Sequence, residues 1–242
     1  MIAEIILLAA TAPSDLLHRM EDASLNPTQR NNACFELRGI KQNDVLWAMR
    51  RALNDSELRA CAAENLRTAG ALDLFRNALR DEDPQVRAVA VLELGGFGKV
   101  EDLPALDAAT RDRDLLVATN AVYGLGLYPG KESARYLVAA AKRGGLVGEQ
   151  AIHRLAQRNE PEALDVARLL LTSKEAPDRL AAIAVIGQMG DRSDLPPLRE
   201  IQQKETGELS NKGRGFGLIP SFSLSRAAKT AIENIESRHA VQ

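Results

Sequence analysis

Small and aliphatic residues recur along this chain in a six-residue block led by alanine. The blocks are Ala33–Arg38, Ala62–Arg67, Ala90–Gly95, Ala121–Gly126, Ala151–Ala156, Ala182–Gly187 and Ala231–Glu236. Their alanines stand 29, 28, 31, 30, 31 and then 49 residues apart. With the alanine as position 0, position +1 reads Cys34, Ala63, Val91, Val122, Ile152, Ile183 and Ile232. Position +4 is Leu or Ile in every block, and position −4 is apolar in five of seven, Gln29 and Asp178 being the exceptions. Residues at −4, 0, +1 and +4 share one face of a helix with 3.6 residues per turn. An amphipathic helix repeated about every thirty residues is too small to fold alone, so the pattern predicts helical hairpins that bury their apolar faces against neighbouring copies.

The residues between blocks fit this reading. Asn26-Pro27, Asn54-Asp55-Ser56, Asp83-Pro84 and Ala176-Pro177-Asp178 put a capping side chain or a proline at the entry of repeated helices. Gly39, Gly95, Gly96, Gly126, Gly187 and Gly190 are expected to end those helices. Partner helices are expected over Asp44–Leu53, Leu72–Arg80, Leu103–Ala109, Ser133–Lys142, Pro161–Leu171 and Leu195–Gln203.

The segment Asp83–Gly95 (DPQVRAVAVLELG) resembles the core of a HEAT repeat, in particular the short HEAT-like form first associated with phycobilisome lyase subunits. The resemblance extends from about Ser14 to His239 and is strongest in the third unit. It implies an all-α, right-handed α-solenoid, an armadillo-like superhelix of about seven hairpins, with the repeated helix lining a concave side. It also implies that the arginines at position −3 (Arg30, Arg59, Arg87, Arg179) form a structural ladder with acidic residues of neighbouring turns. On this reading residues 1–13 are an N-terminal cap or a short signal segment. Residues 14–242 are one solenoid, with a loop inserted at 204–223 where the spacing lengthens to 49.

Once the core is assigned, positions −1 and +3 are left as a stripe on the repeated helix. This stripe, with the flanking position +2, gives the candidate partner-binding residues Asn32, Glu36, Asn65, Glu93, Asn120, Tyr123, Gln150, His153 and Arg154. Tyr123 and His153 both occupy +2 in adjacent units and are expected to stand close together. The inserted loop is glycine-rich and carries a second candidate set, Lys212, Arg214, Phe216 and Phe222. Its Gly213, Gly215 and Gly217 do not join a strand to a helix, so they are not a nucleotide-phosphate turn.

Charge and chemistry narrow the function classes. A formal net charge of −2 and a sequence pI near 6.0 argue against a phosphate backbone as the main partner. No stretch reaches membrane-spanning length. The single Trp47 lies in a partner helix, which disfavours a base-excision enzyme, and no His is followed by Glu as iron hydroxylases on such repeats require. Cys34 and Cys61 occupy non-equivalent positions, +1 and −1, of successive helices, and are expected to remain unpaired thiols. The resulting expectation is a monomeric, non-catalytic scaffold or assembly factor, without cofactor or metal, that binds a protein or peptide on its concave face. Its placement is cytoplasmic, or exported if residues 1–12 are a signal remnant. The alternative classes are a lyase or chaperone of a chromophore protein and a nucleic-acid-binding enzyme on the same scaffold.

Overall fold

The computed structural model describes residues 12–128, 130–205 and 223–240, and the regular elements among them are all helical. In chain order these are α1 (Pro13–Glu21), α2 (Pro27–Glu36), α3 (Asn43–Ala52), α4 (Arg59–Ala69), α5 (Leu72–Ala78), α6 (Pro84–Phe97), α7 (Leu103–Ala109), α8 (Leu115–Leu127), α9 (Ala134–Ala141), α10 (Gly145–Gln157), α11 (Glu162–Leu170), α12 (Ala176–Met189), α13 (Leu195–Lys204) and α14 (Leu224–Ala240). Even-numbered helices carry the repeat alanines and odd-numbered ones are their partners, so the described residues form seven hairpins, as the periodicity predicts. Contacts divide the chain into two compact units, Met1–Leu94 and Gly95–Gln242.

In the second unit α8, α10, α12 and α14 lie side by side, each paired with the odd-numbered helix before it. The expected core positions are the buried ones. Val117, Ala121, Val122 and Leu125 of α8 are at most 1 % exposed, and Ala151, Ile152 and Leu155 of α10 are fully buried. Each such Val, Leu or Ile side chain contributes about 1.5–3 kcal/mol by leaving water.

The exception at position −4, Asp178, has its own explanation. Its carboxylate is buried and accepts hydrogen bonds from the Gly145 N–H at 2.8 Å and the Ser173 hydroxyl at 2.9 Å. The start of α10 is therefore capped from the neighbouring helix α12. Gly144, in the left-handed region at φ +68°, has no side chain to collide with that carboxylate, whose Oδ2 would lie 2.5 Å from a Cβ there.

Four of the six glycines expected to end helices do not. Gly95, Gly96, Gly126 and Gly187 lie inside α6, α8 and α12. All but Gly96 occupy position +5, on the flank that meets the next repeated helix. A Cβ on Gly95 would fall 2.3 Å from the Gly124 Cα, so the two backbones touch there. Glycine is used for approach at these sites rather than for termination.

The first unit shows the capping that its sequence specifies. Asn26 Oδ1 accepts from the Gln29 N–H at 3.0 Å and Gln29 Oε1 accepts from the Asn26 N–H at 3.2 Å, a reciprocal box ahead of Pro27. The arginines at −3 are structural. Arg30 donates to the Met20 carbonyl at 3.0 Å and to Asp55 at 2.6 Å; Arg59 donates to the Leu53 carbonyl at 2.7 Å and to Asp83 at 2.9 Å. Each binds its own hairpin's turn with one edge and the next hairpin's acid with the other. Arg87 and Arg179 also tie down turn carbonyls, and Arg179 reaches Glu205 at 3.2 Å.

The expectation of free thiols is wrong: Cys34 and Cys61 form a disulfide, with Cα atoms 6.3 Å apart. The reason is the way the helices stack. Copies related by translation do not present equivalent faces to one another; the trailing flank of one meets the leading flank of the next. Position +1 lies about 100° to one side of the core direction and −1 about 100° to the other. That offset, read from the sequence as keeping the cysteines apart, brings them together.

Candidate functional site

The same stacking decides which repeated-helix residues face outward. Positions −1 and +3 form the leading flank and are partly consumed by the preceding helix, while −5, +2 and +6 point away from the core. Asn65, at +3 of α4, is accordingly buried, its amide donating to the carbonyls of Cys34 at 3.1 Å and Cys61 at 3.0 Å. It is a structural residue, closed to a partner. Asn32 and Glu36 are exposed on α2, and Glu93 is half-buried beside Arg67. Burial pushes the Glu93 carboxyl above its usual range, against the opposing pull of the Arg67 charge.

The remaining five candidates on the repeated helices, Asn120, Tyr123, Gln150, His153 and Arg154, lie on just two of them, α8 and α10. Thr119, Asn120, Tyr123, Leu146 and Gln150 line a groove of ≈ 370 Å³ between them. The side chain lying on the Tyr123 ring is that of Arg154, its guanidinium carbon 4.3 Å from the ring centre, rather than that of the expected His153. Gly126 makes this arrangement fit, because a Cβ there would come within 2.9 Å of the Arg154 Cδ. Arg154 also donates to Gln157 Oε1 at 3.0 Å, so its head is held from two sides. His153 is half-buried on the same helix.

Three flanking residues, Leu116, Leu127 and Leu146, were not among the sequence candidates and join Tyr123 there. Leu116, Tyr123 and Leu127 on α8 are 42 %, 41 % and 46 % exposed, and Leu146 on α10 is 38 % exposed. Leu116, Tyr123 and Leu127 fall at −5, +2 and +6, one outward face of the helix; Thr119 lies between them. A signal for these leucines was present. Position −5 reads Thr28, Glu57, Gln85, Leu116, Leu146, Pro177 and Arg226, and +6 reads Gly39, Thr68, Gly96, Leu127, Gln157, Gln188 and Ser237. Leucine occurs at these outward positions only in the fourth and fifth units. Four large apolar side chains held in water around one groove form the kind of patch that marks an interaction surface.

The loop candidates Lys212, Arg214, Phe216 and Phe222 lie outside the described residues. Among the described residues no helix is long and apolar enough to cross a membrane.

Comparison with known proteins bears on the fold. The family model for HEAT repeats matches residues 58–126 and 72–145. No curated protein sequence matches the chain. A solved structure of Escherichia coli YibA aligns over 92 % of this chain and 82 % of its own, at 17 % identity and a TM-score of 0.50. A chain from the complex of Kap95p with RanGDP aligns over 79 % of this chain at 13 % identity and a TM-score of 0.54; the alignment spans about a third, 32 %, of that longer chain. Human deoxyhypusine hydroxylase aligns over 93 % of this chain at 16 % identity, with a TM-score of only 0.39. Residues 58–145 thus carry HEAT-repeat matches, and the alanine-led helix recurs on both sides of them in an all-helical repeat fold shared with the first two of these solved structures.

Proposed function

We propose that this protein is a non-catalytic interaction module that seats an uncharged, apolar segment of a partner protein across α8 and α10. The observation that carries the reading is the clustering of exposed Leu116, Tyr123, Leu127 and Leu146 on these two adjacent helices, at outward positions that are mostly polar or small elsewhere in the row, exposed Phe35 at +2 of α2 standing apart from them. α8 contains no charged residue, and the groove is lined by two amides, a hydroxyl, a phenol ring and a leucine. Such a surface suits aliphatic or aromatic anchors with peptide groups between them, and does not suit a phosphate backbone. A face presented by packed helices is already formed before binding, so little ordering entropy opposes association. Tyr123, fixed under Arg154, is the expected anchor; aromatic and arginine residues dominate the energy of such contacts.

The test is photo-crosslinking in the cells that make the protein, with a photoreactive side chain at Leu116 or Leu146 and a control at Leu169, 55 % exposed on α11. The expected result is one discrete protein adduct from positions 116 and 146 and none from 169. Tyr123→Ala should then weaken that partner's binding by about thirtyfold, the equivalent of ~2 kcal/mol. Equal adducts from 169, or nucleic acid or pigment in place of protein, would overturn the reading.

A further inference from the structure

The Cys34–Cys61 bond lies at the most weakly packed of the repeated helices. At its four core positions α2 and its cap supply Gln29, Ala33, Cys34 and Leu37. Within the helix itself only Ala33 and Cys34 are buried, whereas α8 buries Val117, Ala118, Ala121, Val122, Gly124 and Leu125. Leu37 is buried at +4, but at +1 Cys34 stands where units three to seven carry Val or Ile, and the covalent link to α4 takes the place of that contact. Asn65 completes the joint, with its amide on the carbonyls of both cysteines and 3.4–3.7 Å from their sulfurs.

The surroundings of the two sulfurs distinguish a permanent cross-link from a switch. Cys34 is 0 % and Cys61 2 % exposed. Their hydrogen-bond-range neighbours are the Asn65 amide and, 3.8 Å from Cys34, the Met49 thioether. Exchange requires a thiolate to reach a sulfur, and a switching cysteine needs positive charge to stabilise its own thiolate. Burial blocks the first, and neither neighbour carries the charge that the second demands. Buried bonds of this kind persist where the surroundings are oxidising, and cytosolic thiols are kept reduced.

We propose that this protein folds and works in an oxidising compartment outside the cytosol, with Cys34 and Cys61 permanently oxidised as part of the fold. This replaces the cytoplasmic expectation. Forming the bond removes two protons and two electrons from the two thiols. Both pass to a dithiol–disulfide oxidant of that compartment, whose own disulfide is reduced to two thiols.

The experiment uses the full chain in the cells that make it. Cells are separated into cytosolic and non-cytosolic fractions, and parallel whole cells are quenched in acid so that thiols cannot oxidise during lysis. The protein is denatured with N-ethylmaleimide, and its intact mass is recorded before and after reduction. The expected result is a non-cytosolic protein that takes up no maleimide until reduced and two afterwards. Two maleimides before reduction, or recovery in the cytosol, would overturn the proposal. A population that oxidises only under oxidant challenge would overturn it too, in favour of a switch. No cysteine variant is needed, so a folding failure cannot obscure the outcome.

Discussion

Gly95 and Gly96 are neighbours in the same helix, and the same substitution at each should have opposite effects. A Cβ on Gly95 meets the Gly124 Cα at 2.3 Å and the Gly124 carbonyl carbon and oxygen at 2.8 Å, all backbone atoms. A side chain in that place could rotate away, but a helix backbone cannot, so α6 and α8 must separate by about 1 Å or more to reach ordinary contact distance. Overpacking of this kind costs about 1–3 kcal/mol, and a rigid obstacle puts Gly95→Ala at the upper end. Against that, alanine recovers up to ~1 kcal/mol of helix propensity, leaving a net loss of about 2 kcal/mol. A Cβ on Gly96 meets nothing within 4 Å, and the residue is exposed in the last turn, so Gly96→Ala should gain about 0.5 kcal/mol. For a chain of this length these values correspond to a fall of roughly 4–8 °C and a rise of roughly 1–2 °C in Tm. Thermal unfolding by circular dichroism gives both. Amide exchange in α6 and α8 should accompany it, because repeat arrays can open in parts. If Gly95→Ala melts at or above the wild-type temperature, the account of glycine as a stacking contact is wrong.

Other consequences are open to measurement. Replacing Cys34 and Cys61 by Ala, or reducing their bond, opens a loop with a separation of 27 residues and should cost about 3.5 kcal/mol on the chain-entropy model. The loss should appear as faster amide exchange in α2–α4, with α10–α14 unchanged; uniform loosening would contradict a local clamp. Arg158 donates to the Gly130 carbonyl at 2.7 Å, the Tyr128 carbonyl at 2.9 Å, the Ser133 hydroxyl at 2.7 Å and the buried Glu160 carboxylate at 3.0 Å. Arg158→Met leaves that carboxylate uncompensated and should cost about 3–5 kcal/mol by urea unfolding, and Arg158→Lys should recover little of it. Because burial raises the Glu93 pKa in the folded chain, its charged form opposes folding increasingly as pH rises from the unfolded-state value through the folded one. Glu93→Gln should therefore raise Tm at pH 7 and leave it unchanged at pH 3; a lower Tm at pH 7 would mean that the Arg67 pair outweighs desolvation.

The helices and their core were legible in the sequence because alanine and aliphatic positions follow directly from helical geometry. The partner helix at Leu103–Ala109 is found with the expected ends, as are the capped entries at Asn26 and Asp83. What the sequence did not disclose was the relation between copies. An alignment of repeats invites comparison of like positions, but stacking joins unlike ones. From that single error came the unpaired reading of Cys34 and Cys61, the exposed reading of Asn65, and the helix-ending role given to Gly95, Gly126 and Gly187. The groove was half legible: the amides and Tyr123 came from the stripe, whereas Leu116, Leu127 and Leu146 stand on a face that the stripe did not include. Arg154 was recognised, but its resting place on Tyr123 depends on the room left by Gly126, a residue on the other helix.

The contact between unlike flanks also makes the hairpins poor interchangeable parts. Each trailing flank is matched to one successor: Gly95 to the bare backbone at Gly124, Gly126 to the stem of Arg154, and Gly187 to Ala231. Transposing two hairpins, or copying one beside itself, would set Gly95 against a side chain or leave the Arg154 stem without its recess. A change on one flank therefore calls for a matching change on the flank it meets, so the joint between hairpins, more than the hairpin itself, is the unit that has to stay together. Anyone lengthening or shortening this protein by design should cut through the middle of hairpins and leave the joints whole.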